Sequence, residues 1–333
     1  AVDVAGDDDV IKVAAGVYSD VTGYGGLAQV VYLNKTLTVR GGYKTTDWTT
    51  ADAVANLTIL DAEGQGRVLY ITGPVTPTIE GLRMTGGDAT GRGGGGGGTD
   101  AGGGVFVTGA APTIRNCIVY SNTSSAAGGG YGGGLYLALS AATLSDSIIT
   151  GNIASTADSG RGGGLYLDDS DDATLNNNLV EGNRASTAGS GNGGGLYLFR
   201  SDATLQGNTI LGNVGSTAYT GSGGGLHVYL SAATLTGNMV FSNTASTVDR
   251  GYGGGLLLSS STATLTGNTV RGNKASLTNQ GHGGGLDVAA SEATLNGNTI
   301  TGNVASTGLT TGGSGGGLSI RQESAVIMNW NMV

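Results

Sequence analysis

The chain has 333 residues, of which 67 are Gly and 3 are Pro, with 12% charged residues and a net charge of −9. The glycines follow no three-residue period, which excludes collagen, and the charge content is too low for a charge-rich disordered chain. The acidic balance argues against nucleic acid and anionic membrane surfaces as partners, and no apolar run reaches the roughly 18 residues of a membrane span.

Residues 1–91 contain short β-branched and aliphatic runs at 10–13, 30–33, 37–39, 57–60, 68–71 and 79–84, separated by turn residues. Each reads as a brief strand. Together they suggest about three irregular opening coils, with 41–50 as a longer excursion. The run 93–98 is all glycine and, within 92–104, reads as a mobile loop. From 105 to 333 one unit returns: Gly-Gly-Gly-Leu-Tyr-Leu, a polar turn, Ala-Thr-Leu-x-Gly-Asn, an aliphatic residue, and a second Gly-Asn before Ala-Ser-Thr. Counted at Val105, Leu135, Leu165, Leu196, Leu226, Leu256, Leu286 and Leu318, the spacings are 30, 30, 31, 30, 30, 30 and 32.

A fixed period of that length marks a solenoid or propeller array. Within one period, Leu135 to Leu137, Ala142 to Leu144 and Ile148 to Ile149 read as three short strands with no helix between them. That pattern excludes helical repeats and four-stranded propeller blades. The remaining architecture is an all-β, right-handed parallel β-helix of about ten coils, one domain over 1–333, with right-handedness following from the crossover rule. At about 4.8 Å per coil it would be roughly 50 Å long.

Like residues should then stack. Leu135, Leu165, Leu196, Leu226, Leu256, Leu286 and Leu318 form one expected inward column, and Leu144, Leu175, Leu205, Leu235, Leu265, Leu295 and Ile327 another. Asn178, Asn208, Asn238, Asn268 and Asn298 make one turn ladder, with Cys117 at the same position of an early coil. Asn122, Asn152, Asn183, Asn213, Asn243, Asn273 and Asn303 make a second. Asn accepts the left-handed turn backbone, and its amide can bond the coils on either side. Cys117, the single cysteine, can form no internal disulfide and is expected to be a small buried residue.

The opening segments 7–18, 37–43 and 79–87 resemble the first coils of right-handed parallel β-helix proteins of the pectate-lyase-like superfamily. The Gly-Gly-Gly-Leu repeats, with motifs such as Phe241-Ser242-Asn243-Thr244-Ala245, are similar to the passenger repeats of polymorphic outer membrane proteins and related bacterial surface proteins. The resemblance implies the fold. It leaves lyases, hydrolases, adhesins and passive surface proteins open, since fold does not fix function.

Two features break the repeat. Asp168, Asp169, Asp171 and Asp172, with Asp202 and Arg200 one coil on, form an acidic turn that could hold a hard cation such as Ca²⁺, make a carboxylate pair or be a solvated turn; otherwise no cofactor is expected. Phe106, Tyr136, Tyr166, Tyr197 and His227 form a stripe at the outward position between two inward aliphatics, either rings stacked to stabilise neighbouring strands or a track that faces a glycan or a neighbouring copy. His227 and His282 have no metal-ligand or triad spacing.

Near-identical coils offer no locally distinct acid, base and stabiliser, so the chain is expected not to be an enzyme. The leading expectation is an extracellular or cell-surface structural protein that assembles end to end with copies of itself. Its apolar ends, Val10, Ile11 and Val13 at one side and Val326, Ile327, Met328, Trp330, Met332 and Val333 at the other, would template pairing. The alternatives are an adhesin or glycan-binding β-helix and, last, a polysaccharide lyase or hydrolase. The start at Ala1, without Met or a signal peptide, suggests a processed, exported product. Asn34, Asn56 and Asn122 lie in glycosylation sequons.

Overall fold

The computed structural model describes residues 1–24, 27–308 and 312–333, and the chain forms a parallel β-solenoid of about ten coils. Each regular coil carries five strands where the sequence suggested three. In the coil that starts at Leu135 they are Leu135–Ala138, Thr143–Ser145, Ile148–Thr150, Ile153–Ser155 and Gly160–Arg161. Among the described residues the five resulting sheets, numbered here in that order, hold 11, 11, 10, 7 and 7 strands. Pairing is parallel and in register, as in Leu135 with Leu165 and Tyr136 with Tyr166. The exception is an antiparallel hairpin in the opening coil, Thr22–Tyr24 against Leu27–Leu33.

The first three sheets enclose the apolar core, where Leu135, Leu144 and Ile149 and their counterparts as far as Leu286, Leu295 and Ile300 are buried. The two Asn ladders run along its corners as expected. Asn208 Nδ2 donates to Leu175 O at 2.8 Å and to Asn238 Oδ1 at 3.0 Å. Its Oδ1 accepts from Asn178 N and Nδ2 at 2.9 and 3.0 Å. Cys117 takes the foot of that ladder: its N–H donates to Ser147 Oγ at 3.1 Å, and Ser147 N donates to Asn178 Oδ1 at 3.1 Å. Burial raises its thiol pKa to about 12.

The fourth and fifth sheets pack on each other as a side lobe. The close approach requires glycine: a Cβ on Gly160 would lie 1.7 Å from Ala185 O, and one on Gly163 would lie 2.3 Å from Arg184 C. The triplet's first member, Gly162, has φ +62°, a left-handed conformation that glycine adopts without a Cβ penalty.

The last coil corrects one expected register. Met328, not Ile327, pairs with Leu295, and Ile327 pairs with Thr294. Gln322 and Glu323 both take left-handed φ of 55° and supply one extra residue to the turn before that strand. The slip moves Ile327 off the core column, and its side chain is exposed. Among the other end residues, Val10, Met328, Trp330, Met332 and Val333 are exposed, while Ile11, Val13 and Val326 pack partly on the core.

Candidate functional site

The outward column on the first sheet begins with Tyr32 and Tyr70 and continues through Phe106, Tyr136, Tyr166, Tyr197 and His227. Ring centroids from Tyr32 to His227 are 4.8 to 5.6 Å apart. The expectation that this stripe faces a partner is corrected. The five predicted residues are 1 to 7% exposed, because the fifth sheet folds across them. Tyr131 of that sheet stacks on Tyr166 at 5.0 Å. The guanidinium of Arg161, also from the fifth sheet, lies 5.2 Å from the Tyr131 ring and 5.8 Å from that of Tyr197. The stripe therefore acts as a second, aromatic core.

What reaches solvent is the next outward position, two residues along each strand. There the register places Ala138, Asp168, Phe199 and Tyr229 side by side. Asp168 is half-buried and accepts a hydrogen bond from the Tyr136 hydroxyl one coil below. Phe199 and Tyr229 are half-buried and stacked, centroids 5.7 Å apart. Beyond them the turn ladder carries Asp169, Arg200 and Leu230 with φ of 45, 48 and 53°. Arg200 is exposed, with its guanidinium 4.7 Å from the Phe199 ring. The result is a ledge: a carboxyl and a phenol at one end, two aromatic faces at the other, and an arginine on each flank.

The electrostatics follow from this placement. Burial holds the Asp168 carboxyl above the ordinary carboxylate range and Asp169 adds to the rise, while the Tyr136 hydrogen bond, Arg200 and Arg161 oppose it. Burial, followed by the hydrogen bond to Asp168 and its charge, pushes the Tyr136 phenol up. Burial pulls the Arg161 guanidinium down, but the surrounding Tyr197, Tyr131 and Tyr166 outweigh it and the net shift is upward. A carboxyl that titrates late and is oriented by a phenol is a candidate proton acceptor or donor. Half-exposed aromatic faces beside it suit an apolar sugar face.

The other members of the acidic turn do not converge on a common point. Asp171 Oδ1 accepts from Asp202 N at 3.0 Å, Asp202 Oδ1 from Ala232 N at 2.7 Å, and Asp172 N donates to Asp202 O at 3.0 Å. Asp169, Asp171, Asp172 and Asp202 are all exposed. Among the described residues no group of three or more His, Cys, Asp or Glu is arranged to hold a metal ion. The coil's extra residue is absorbed here, with Asp172 at φ 64°, and the Asp171 and Asp202 carboxylates accept backbone N–H groups of neighbouring turns.

His227 bonds Ser259 Oγ through Nε2 at 2.8 Å, and its Nδ1 has no partner among the described residues. Burial, reinforced by Arg161, lowers its pKa to about 3. His282 sits in the fifth sheet, stacked on Tyr252 at 5.4 Å, with its Nδ1 2.6 Å from Ser314 Oγ. Sequence reasoning placed Arg200 beside the acidic turn but passed over Arg161, Phe199 and Tyr229. A signal was present: each holds a fixed offset from a glycine triplet that has already located Tyr166 and Asp168. A separate groove at the corner of the second and third sheets is lined by Arg40, Glu80, Arg83, Asn116 and Asp146. In it Glu80 Oε2 lies 2.7 Å from Arg40 Nε and 3.0 Å from Arg115 Nη2.

No curated protein matches the sequence. Among solved structures the chain is similar to a pectate lyase, with 12% identity and a TM-score of 0.47 over 93% of this chain and 71% of that one. It is similar to the A-module of a mannuronan C-5 epimerase from Azotobacter vinelandii, at 14% identity and TM-score 0.39 over 98% and 92%. A third is an alginate lyase from Paenibacillus sp. str. FPU-7, at 16% identity and TM-score 0.37 over 95% and 93%. At these identities the likeness is one of fold. These three, together with an α-1,3-glucanase catalytic unit and a periplasmic alginate epimerase that also match, are polysaccharide-acting enzymes. On that finding the expectation of a non-enzymatic, end-to-end assembling structural protein, with an adhesin as its alternative, is corrected. No helix among the described residues is long and apolar enough to cross a membrane. The pattern described as "Right handed beta helix region" matches residues 47–240, and the chain belongs to that family of right-handed parallel β-helix proteins.

Proposed function

We propose that this β-helix acts on a polysaccharide outside the cytoplasm, at the ledge formed by Tyr136, Asp168, Phe199 and Tyr229. The observation that carries this reading is the Tyr136 to Asp168 hydrogen bond, set beside the acidic turn that takes up the extra residue of the 31-residue coil. A sugar ring resting on the Phe199 and Tyr229 faces would present its ring hydrogens and hydroxyls to Asp168. The ionised carboxylate takes a proton from the sugar, and the Tyr136 hydroxyl keeps that carboxylate oriented. Arg161 and Arg200 supply positive charge on either side for the negative charge that develops when the proton leaves.

The test is turnover of a panel of neutral and acidic polysaccharides by the wild type, Asp168→Asn and Tyr136→Phe. A positioned general base contributes about 10² to 10⁴-fold. Asp168→Asn should therefore lose about that factor in kcat with little change in KM, and Tyr136→Phe a smaller one. Wild-type binding of a glycan at the ledge without turnover of any member of the panel would refute the catalytic reading.

A further inference from the structure

In every regular coil the second glycine of the triplet faces the side lobe. In the two opening coils, where the lobe has not yet begun, that position holds Gln29 and Arg67, which are register partners. Arg67 is 1% exposed. Its Nε donates to Ala101 O at 2.9 Å, the carbonyl at the open edge of the fifth sheet, and its Nη2 donates to Gly93 O at 2.7 Å. Its face packs 4.7 Å from the Phe106 centroid and 5.8 Å from that of Tyr70. Capping the sheet edge thus accounts for Nε and Nη2.

It leaves Nη1 buried with no partner among the described residues, and Arg92 Nε is buried in the same condition. Arg92 is near enough to lower the Arg67 pKa, which burial takes down to about 10. The carboxylate whose charge acts on Arg67, Asp100, is already engaged by Ser125 Oγ at 2.7 Å and Gly93 N at 3.0 Å. Two cations with free N–H groups around one committed carboxylate leave an excess of positive charge in a chain of net charge −9. Burying a cation without a counter-charge is costly.

What covers Arg67 is the glycine run 93–98. Gly93, Gly94, Gly97 and Gly98 adopt φ of 62, 98, 72 and 81°. A Cβ on Gly94 would lie 2.6 Å from Phe106 Cε2, so the strap lies flat on the ring that Arg67 also covers. A strap without side chains can shift at little steric cost, and its amides add donors of the kind that cradle anions.

We propose that Arg67, Arg92 and the glycine strap 93–98 form a binding site for an oxyanion, the carboxylate or sulfate of an acidic glycan. The choice of a glycan as carrier rests on the function proposed above; the anion site does not. Arg67 is three coils before Asp168 on the same face, about 14 Å along the axis at about 4.8 Å per coil. One oligosaccharide can reach both places.

The probes are a galacturonate hexamer, a heparin-derived hexasaccharide and the uncharged cellohexaose, titrated calorimetrically into the wild type, Arg67→Gln, Arg92→Gln and Asp168→Asn. The expected result is that one or both acidic probes bind in a salt-sensitive manner while cellohexaose binds at least tenfold more weakly. Arg92→Gln and Arg67→Gln should each weaken the acidic probe at least tenfold, and Asp168→Asn should retain that arginine-dependent binding even where turnover fails. Which acidic probe binds separates carboxylate from sulfate. Arg67 caps a sheet edge, so its variant is interpreted only if its far-UV spectrum matches the wild type; Arg92→Gln carries the test by itself. Equal binding of charged and uncharged hexamers, or acidic binding unchanged in Arg92→Gln, overturns the proposal.

Discussion

His227 offers a sharp test of how the aromatic column is built. The imidazole is 7% exposed, packs edge-on to Tyr197 at 5.0 Å, and has a pKa lowered to about 3 by burial and then by Arg161. A lowered folded-state pKa means that the native state resists protonation. The associated stability is therefore intact above about 6.5, the unfolded value, and is lost as pH falls toward about 3. The loss runs at about 1.4 kcal/mol per pH unit across that window, which amounts to roughly 2 to 3 kcal/mol by about pH 4.5. Leucine is the natural replacement, because Leu257 fills the same place one coil on and is 4% exposed. At neutral pH His227→Leu gives up the bond to Ser259 and should cost about 1 kcal/mol or less. Urea unfolding followed by far-UV circular dichroism at pH 7 and pH 4.5 gives the difference directly. The variant should gain roughly 2 to 3 kcal/mol relative to wild type on going to the lower pH. Identical pH dependence in the two proteins would refute the burial argument, since carboxylate titration elsewhere is common to both.

In the Asn ladder, Asn208→Ala removes four side-chain hydrogen bonds, takes away the Asn208 partners of Asn178 N–H and Leu175 O, and leaves Asn178 Nδ2 with Leu144 O alone. At about 1 to 3 kcal/mol per unsatisfied buried group, the loss should be about 3 to 5 kcal/mol by urea unfolding; a loss below about 1 kcal/mol would mean that water replaces the ladder. Tyr166→Ala empties the centre of the aromatic column and should cost about 3 to 5 kcal/mol, whereas a variant as stable as wild type would mean the fifth sheet does not close over it. For the ledge, burial raises the Asp168 pKa, so turnover should fall on the acid side with a midpoint above the ordinary value of about 3.9, and Asp168→Asn should abolish that limb. A limb at or below the ordinary value would remove Asp168 as the titrating base.

The coil period, the Leu columns and both Asn ladders were legible because each repeats the same residue at the same offset, and parallel in-register stacking turns such offsets into contacts. The side lobe was not legible. Gly160–Arg161 and its counterparts are two-residue strands next to glycine, too short for any alternation, so nothing announced a sheet that would cover Tyr136, Tyr166 and Tyr197. An outward position was therefore taken as a solvent-facing one. The same omission hid the ledge, since Asp168 becomes half-buried and bonded to Tyr136 only when Arg161 and Tyr131 close over the column. Ile327 was misplaced for a different reason: one extra left-handed turn residue shifts a strand by one position and exchanges its faces, which aliphatic character alone does not reveal.

The central claim is that the ledge at Asp168 holds and acts on a sugar, and the most direct measurement is the crystal structure of Asp168→Asn with an oligosaccharide drawn from whichever polysaccharide the wild type turns over. The account predicts a pyranose ring lying on the faces of Phe199 and Tyr229, with a ring carbon or hydroxyl within hydrogen-bonding reach of the residue-168 side chain and of Arg161 or Arg200. A sugar seated in the corner groove beside Glu80 and Arg83, with the ledge empty, would contradict it.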